Sequence, residues 1–121
     1  MHYKELRIYQ IADRLRNELH TELKKIPYSW KVVEVDQSKR SSASTVSNIV
    51  EGHGRRFYPK EYYRFLDMSM ASSDETQDHV KTLGTKNHLN EERASYFENE
   101  YTGLSIKILK MMNSIKGKYK F

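Results

Sequence analysis

Ala94, Phe97, Tyr101, Leu104, Ile108, Met111 and Ile115 recur at alternating steps of three and four residues. Over about three heptads that spacing holds an apolar seam on one side of an α-helix, and a helix striped in this way must bury the seam against other helices. Asn90 stands before it as an N-cap, Glu91 and Glu92 follow on the positive end of the helix dipole, and Gly117 follows the seam. No segment keeps the two-residue alternation of a strand for long, so the partners of this helix must themselves be helices.

Three further helical segments can be read. In the first, Ile8, Ile11, Leu15, Leu19, Leu23 and Ile26 form an apolar stripe that Pro27 ends. The second runs from about Trp30 to His53. Val32, Val35, Ala43, Val46 and Val50 keep a helical period there, but Ser38, Ser41, Ser42, Ser44, Thr45 and Ser47 intervene, so its intrinsic helicity is poor and its neighbours must hold it. The third opens at Pro59, suited to the first helical position, carries Glu61 in its first turn, and runs to Leu83 with Gly84 as its stop. Tyr62, Phe65, Leu66, Val80 and Leu83 make its ends bulky, whereas Ser69, Ala71, Ser72 and Ser73 make its middle narrow, so the second and third helices are natural close-packed partners. Short connections place consecutive helices side by side. The expected architecture is all-α: one domain over residues 1–121, an antiparallel up-down-up-down four-helix bundle.

The chain is long enough at 121 residues for one real core but too short for two. It has no cysteine, hence no disulfide or thiolate metal site. No apolar run approaches the roughly 20 residues of a membrane span, and Met1–Arg7 lacks a signal core, so the expected setting is the cytoplasm with no membrane partner. Lysine and arginine number 21 against 16 acids. Residues 39–64 hold Lys39, Arg40, Arg55, Arg56, Lys60 and Arg64 against Glu51 and Glu61, and from Lys107 onward four more lysines follow without an acid. Such a balance suits polyanion partners, although solvated helix ends also look basic.

Between the second and third helices lies the polar, glycine-punctuated stretch Ser47-Asn48-Ile49-Val50-Glu51-Gly52-His53-Gly54-Arg55-Arg56. Together with Tyr3 to Ala12, Gln37 to Arg40, Tyr63-Arg64-Phe65-Leu66 and Ser72-Ser73-Asp74-Glu75-Thr76, in this order and spacing, it resembles the four-helix bundle family also called the 23S rRNA intervening-sequence proteins. The resemblance covers nearly the whole chain. It implies a small bundle that assembles into a barrel-like homopentamer, with no enzymatic activity and no cofactor. Some relatives are encoded within insertions in large-subunit ribosomal RNA genes, and a related accessory protein of retroelements associates with a reverse transcriptase and nucleic acid. RNA or DNA, in a ribosomal or reverse-transcriptase context, are therefore the implied partners. Where many relatives carry proline this chain has Val46, and Ser41, Ser42, Glu34 and Ser38 make its second helix more polar than the family pattern.

The retained group, Gln37, Arg40, Asn48, Glu51, Gly52, Gly54 and Arg55, has two readings. In the structural one, Asn48 lies four residues from Ser44 and Glu51 four from Arg55, and with Gln37 and Arg40 they form a polar seam fixing register between helices or subunits, while Gly52 and Gly54 make the turn. In the functional one, Arg40, Arg55, Arg56, Lys60 and Arg64 form a phosphate-binding band, with Tyr58, Tyr62 and Tyr63 available to stack on unpaired bases. The structural reading is favoured for Asn48 and Glu51; both stay open for the arginines. In a pentamer the formal charge becomes five times +5, or +25, and the basic residues would align in one belt.

Catalytic readings find little support. Glu75 and His79 share a helix face, but a di-iron bundle needs Glu-x-x-His pairs on two helices, and no second helix offers one. His2, His20, His53 and His88 are scattered, with His53 read as a surface histidine at the helix break. Gly52-His53-Gly54 lacks the rest of a dinucleotide loop, and the serines of the second helix lack a nucleophile-elbow context. No catalytic, metal or cofactor residue is expected. The remaining readings are an oligomeric nucleic-acid or ribonucleoprotein accessory factor and a purely structural protein scaffold, with Trp30 expected as a bundle-end plug or subunit contact.

Overall fold

The computed structural model describes residues 1–121 and contains four α-helices and no strand. α1 spans Arg7–Leu23, α2 Val33–Gly54, α3 Pro59–Thr85 and α4 Glu91–Tyr119, with single 3-10 turns at Tyr3–Glu5 and Tyr28–Trp30. Each helix packs on its neighbours in sequence and α1 closes the ring against α4, while the diagonal helices keep their backbones apart. This is the side-by-side arrangement of a four-helix bundle. No helix is long and apolar enough to cross a membrane.

Twenty-one buried apolar residues form one cluster along the axis. All six residues of the expected α1 stripe belong to it, and the helix itself stops at Leu23, before Pro27. On α4 the seam is as expected from Ala94 to Ile108, but Met112 is buried where Met111 was expected. A straight α-helix turns at 3.6 residues and drifts about 20° per heptad against a 3.5-residue repeat, so by the third heptad the inward position moves one residue on. Asn90 caps α4 through Oδ1, which accepts from the backbone N–H groups of Glu92 and Arg93 at 2.8 and 3.3 Å.

The buried face of α2 departs most from expectation. It consists of Ser38, Ser41, Ser42, Thr45, Val46, Ile49, Gly52 and His53, whereas Val32, Val35, Ala43 and Val50 lie only half-buried at its margins. Hydroxyls replace the valines because α2 and α3 approach through small side chains whose polar atoms, Ser38 Oγ excepted, find partners within the bundle. Ser69 Oγ donates to the Thr45 carbonyl at 2.7 Å, and Thr45 Oγ1 donates to the Ser41 carbonyl at 2.8 Å. Thr76 Oγ1 lies 2.7 Å from Ser41 Oγ, and Ser44 Oγ lies 2.9 Å from Ser72 Oγ. Residue numbers fall along α2 as they rise along α3. The same hydroxyl layer continues into α4, where Ser73 Oγ donates to the Tyr101 carbonyl at 3.2 Å. The Tyr101 hydroxyl itself is buried without a partner, and burial raises its pKa.

Gly84 does not stop α3, which continues to Thr85. An alanine Cβ at Gly84 would stand 2.6 Å from Ala94 Cβ, so the missing side chain is what lets α4 begin against the end of α3. The reversal is made instead by Asn87, at φ 61°, a left-handed conformation that asparagine tolerates.

Two histidines are built into the helix contacts. His20 Nε2 lies 3.3 Å from Ser42 Oγ between α1 and α2. His53, expected at the surface, is only 6% exposed in the last turn of α2, with the Tyr62 ring edge-on at 6.5 Å. Burial lowers both pKa values, and the cationic Arg56 adds to the effect at His53.

Two expectations follow from this packing. Gly84→Ala should lose about 1–3 kcal/mol through overpacking, whereas Gly103→Ala, whose new methyl meets nothing within 4 Å, should gain about 0.5–1 kcal/mol of helix propensity. Urea midpoints check the pair, and equal shifts would contradict the close approach. As pH falls below the ordinary histidine value of about 6.5, the unfolded chain takes up protons before the folded one does, so stability held at neutral pH is lost on acidification. The melting midpoint should be level above pH about 7 and drop between about 6.5 and 5, with a smaller drop in the His20→Gln, His53→Gln variant.

Candidate nucleic-acid interface

α2 ends at Gly54, and the chain turns through Arg55 to Tyr58 before Pro59 opens α3. Three backbone hydrogen bonds hold the turn: Arg55 N–H to the Gly52 carbonyl, Arg56 N–H to that of His53, and Tyr58 N–H to that of Arg55, at 2.9, 3.1 and 2.9 Å. Gly52 and Gly54 are helical and neither has positive φ, so they do not make the turn as expected. Gly52 is a contact residue. A Cβ there would lie 3.0 Å from Phe65 Cβ and 3.3 Å from the Tyr62 ring, so its absence lets the first turns of α3 lie on α2.

That approach gathers charge around one ring. The Arg55 and Arg64 guanidinium carbons lie 5.0 and 4.6 Å from the Phe65 centroid. Arg55 pairs with Glu51 at 3.1 Å and reaches Glu61 at 4.0 Å; Arg64 pairs with Glu61 at 3.2 Å, which lowers the Glu61 pKa. All four side chains face solvent, where such pairs are weak and exchange readily for other anions. Arg56 is held differently, donating to the His53 carbonyl at 3.1 Å with its guanidinium 4.6 Å from the Phe57 centroid. Lys60 is exposed in the first turn of α3.

The expected band is divided by distance. Arg40 and Gln37 lie near the opposite end of α2, where they line an open cleft of about 660 Å³ with Leu23 and Ile26. Fifteen residues of helix separate Arg40 from Arg55, about 22 Å at 1.5 Å per residue. The polar seam divides as well. Asn48 Nδ2 donates to the Ser44 carbonyl at 3.0 Å and lies 3.1 Å from Ser44 Oγ, which touches Ser72. Glu51 is exposed and paired with Arg55, and Gln37 is exposed. Among the tyrosines expected to stack on bases, Tyr62 is buried, its hydroxyl near Met111 Sδ at 3.9 Å and its pKa pushed up to about 12. Tyr63 packs edge-on against Phe121 at 5.4 Å. Tyr58 remains 69% exposed, and Phe57, which the sequence reading passed over, is 78% exposed.

The chain's lysine-rich end joins the same region. The Tyr63–Phe121 contact and Lys116 Nζ, 5.9 Å from the Tyr63 centroid, seat the last turns of α4 beside the start of α3. Residues 51–64 and 116–121 together hold seven cations and two acids, an excess of +5 equal to that of the whole chain. The rest of the molecule is balanced. Sequence spacing could not have joined these two segments; the basic composition of each was the available signal.

Two arrangements bear on catalysis. His20 and Ser42 form a histidine–hydroxyl contact that sequence distance concealed, but Ser42 is 0% exposed and its hydroxyl also reaches the Lys39 carbonyl at 3.2 Å, so the pair ties α1 to α2. No group of three or more His, Asp or Glu side chains converges as a metal site would require. Trp30 is 58% exposed and leans on His88, centroids 5.8 Å apart.

A solved structure of a protein with unknown function, from the S23 ribosomal protein family of Bacteroides thetaiotaomicron, shares this fold. The two superpose with a TM-score of 0.79 at 16% identity, over 87% of this chain and 97% of that one. Comparison with curated proteins gives no significant match. The model of the 23S rRNA-intervening sequence protein family matches residues 4–114, and with α1 to α3, the α2–α3 turn and its arginines, and all but the last residues of α4 inside that span, this chain belongs to that family.

Proposed function

We propose that this chain is a non-enzymatic accessory protein that binds the phosphate backbone of RNA or DNA through the basic end of its bundle. The observation that carries the reading is the concentration of the whole net charge, +5, in residues 51–64 and 116–121. Phosphate neutralisation at such a surface releases counterions and gives affinity without base information, which suits a factor that accompanies a nucleic acid or nucleoprotein. Arg55, Arg56, Lys60 and Arg64 are its centre, with Lys116, Lys118 and Lys120 beside them; Arg40 is a separate element. The name of the family the chain belongs to supports a ribosomal RNA context and a cytoplasmic setting; a reverse-transcriptase partner rests on the resemblance alone.

In this reading the bundle is up-down-up-down and assembles as a homopentamer. Exposed Met68, Ile106 and Leu109 on the helix flanks support an assembly, since they are apolar area a neighbouring copy would cover. Five basic ends on one side would make a continuous belt. The same apolar flanks equally support the alternative of a protein scaffold without nucleic acid, so binding must be measured directly.

Reversing the two turn arginines, Arg55→Glu with Arg56→Glu, should weaken binding to single-stranded RNA about 10- to 100-fold at low salt and flatten the slope of log affinity against log salt by about 1.4, two contacts' worth. If the unsubstituted protein binds no RNA or DNA even at low salt, the scaffold reading stands instead. Light scattering should give five times 14.4 kDa, or 72 kDa. A 14.4 kDa particle at micromolar concentration would end the pentamer proposal.

A further inference from the structure

We infer that the Phe57–Tyr58 turn is a stacking platform for unpaired bases, so that the basic end prefers single-stranded polynucleotide to duplex; the inference rests on the phosphate-binding reading above. Aromatic rings at this end are otherwise accounted for. Tyr62 is buried, Tyr63 packs on Phe121, and Phe65 lies beneath Arg55 and Arg64. Tyr119, 49% exposed, lies beside Lys118 on the last turn of α4, and Phe57 and Tyr58 stand furthest into water, 78% and 69% exposed, at the tip of the α2–α3 connection.

Their setting separates them from a generic apolar patch. The turn is held by backbone hydrogen bonds on both sides and entered into α3 by Pro59, so the rings project from a fixed backbone. Arg56 is tied to the His53 carbonyl and sets its guanidinium carbon 4.6 Å from the Phe57 centroid. With the cation over one face of the ring, the other face is left for a base to stack on while its phosphate is neutralised nearby. Lys60 follows on the first turn of α3, and the lysine-rich end of α4 lies beyond Tyr63. A strand crossing the turn would therefore meet cations on both sides of the rings. In a duplex the base faces are covered by one another, and only the phosphates are offered. Each base stacked on an aromatic ring strengthens single-strand binding by about 5- to 150-fold, with little regard to sequence.

The test is fluorescence anisotropy with labelled U20 RNA, dT20 DNA and a 20-base-pair duplex, using the full chain. Tighter binding of U20 or dT20 than of duplex is expected. Phe57→Leu with Tyr58→Leu, which keeps apolar bulk but removes the planes, should weaken single-strand binding by about 5-fold or more while leaving duplex affinity and the salt slope unchanged. Phe57→Tyr with Tyr58→Phe should retain it, and Trp30→Leu at the far end should have no effect. The inference is overturned if duplex binds as tightly as single strands, if the leucine variant binds single strands normally, or if Trp30→Leu is equally damaging. A leucine variant whose light-scattering mass changes would also overturn it, because the rings would then belong to a contact between copies. Duplex binding without single-strand preference leaves the phosphate-binding reading intact. Failure to bind any probe removes both.

Discussion

The close approach of α2 to α3 through serine, threonine and glycine governs the rest of the molecule. A hydroxyl can be buried at little cost only if it finds an acceptor, and here the acceptors are carbonyls of the same two helices, such as those of Thr45 and Ser41. The layer is thin, so the two helices lie near one another over much of their length. Gly52 extends it to the end of the pair, where even one methyl would press on Phe65. The turn from Arg55 to Tyr58 is thus held at the end of a rigid pair, with its side chains directed outward by the shortness of the connection.

Charge follows connectivity. The end of α2, the start of α3 and the end of α4 meet at one pole of the bundle, and the two arriving C-termini favour cations electrostatically. Lys116 and Lys118 in the last turn of α4 therefore have a local reason to be there as well as a collective effect. Glu51 and Glu61 offset part of the field, but solvent-exposed pairs of this kind yield to a competing phosphate. The pole is basic, open and aromatic at its tip, properties that a polyanion would use and a catalytic pocket would not.

Much of the fold was legible because some residues act locally. Pro59 at the first turn of α3, Asn90 as a cap and the α1 stripe depend only on neighbours within a turn or two, and each does what its chemistry dictates. The misreadings share one cause. Val35 and Val50 looked like core because apolarity was taken as the mark of burial; Gly84 looked like a stop because glycine usually permits a turn. In each case a residue on another helix reversed the assignment: Ala94 stands over Gly84, and α3 presents its own hydroxyls to α2. Met112 displaced Met111 by the slow drift of a straight helix against the heptad, which is invisible over one turn and decisive over three.

The candidate interface was half legible. The sequence alone determined that the chain is helical and basic, that a polar turn with two arginines interrupts it, and that it resembles one family, since periodicity, charge and local motif are properties of neighbouring residues. Tertiary structure alone decided which basic residues share a surface. It separated Arg40 from Arg55 by the length of α2, brought the lysines of α4 to the arginine turn, buried Tyr62 and His53, and left Phe57 in water. Those outcomes depend on which helices touch and how closely, and closeness was set by side chains too small to leave a hydrophobic signature.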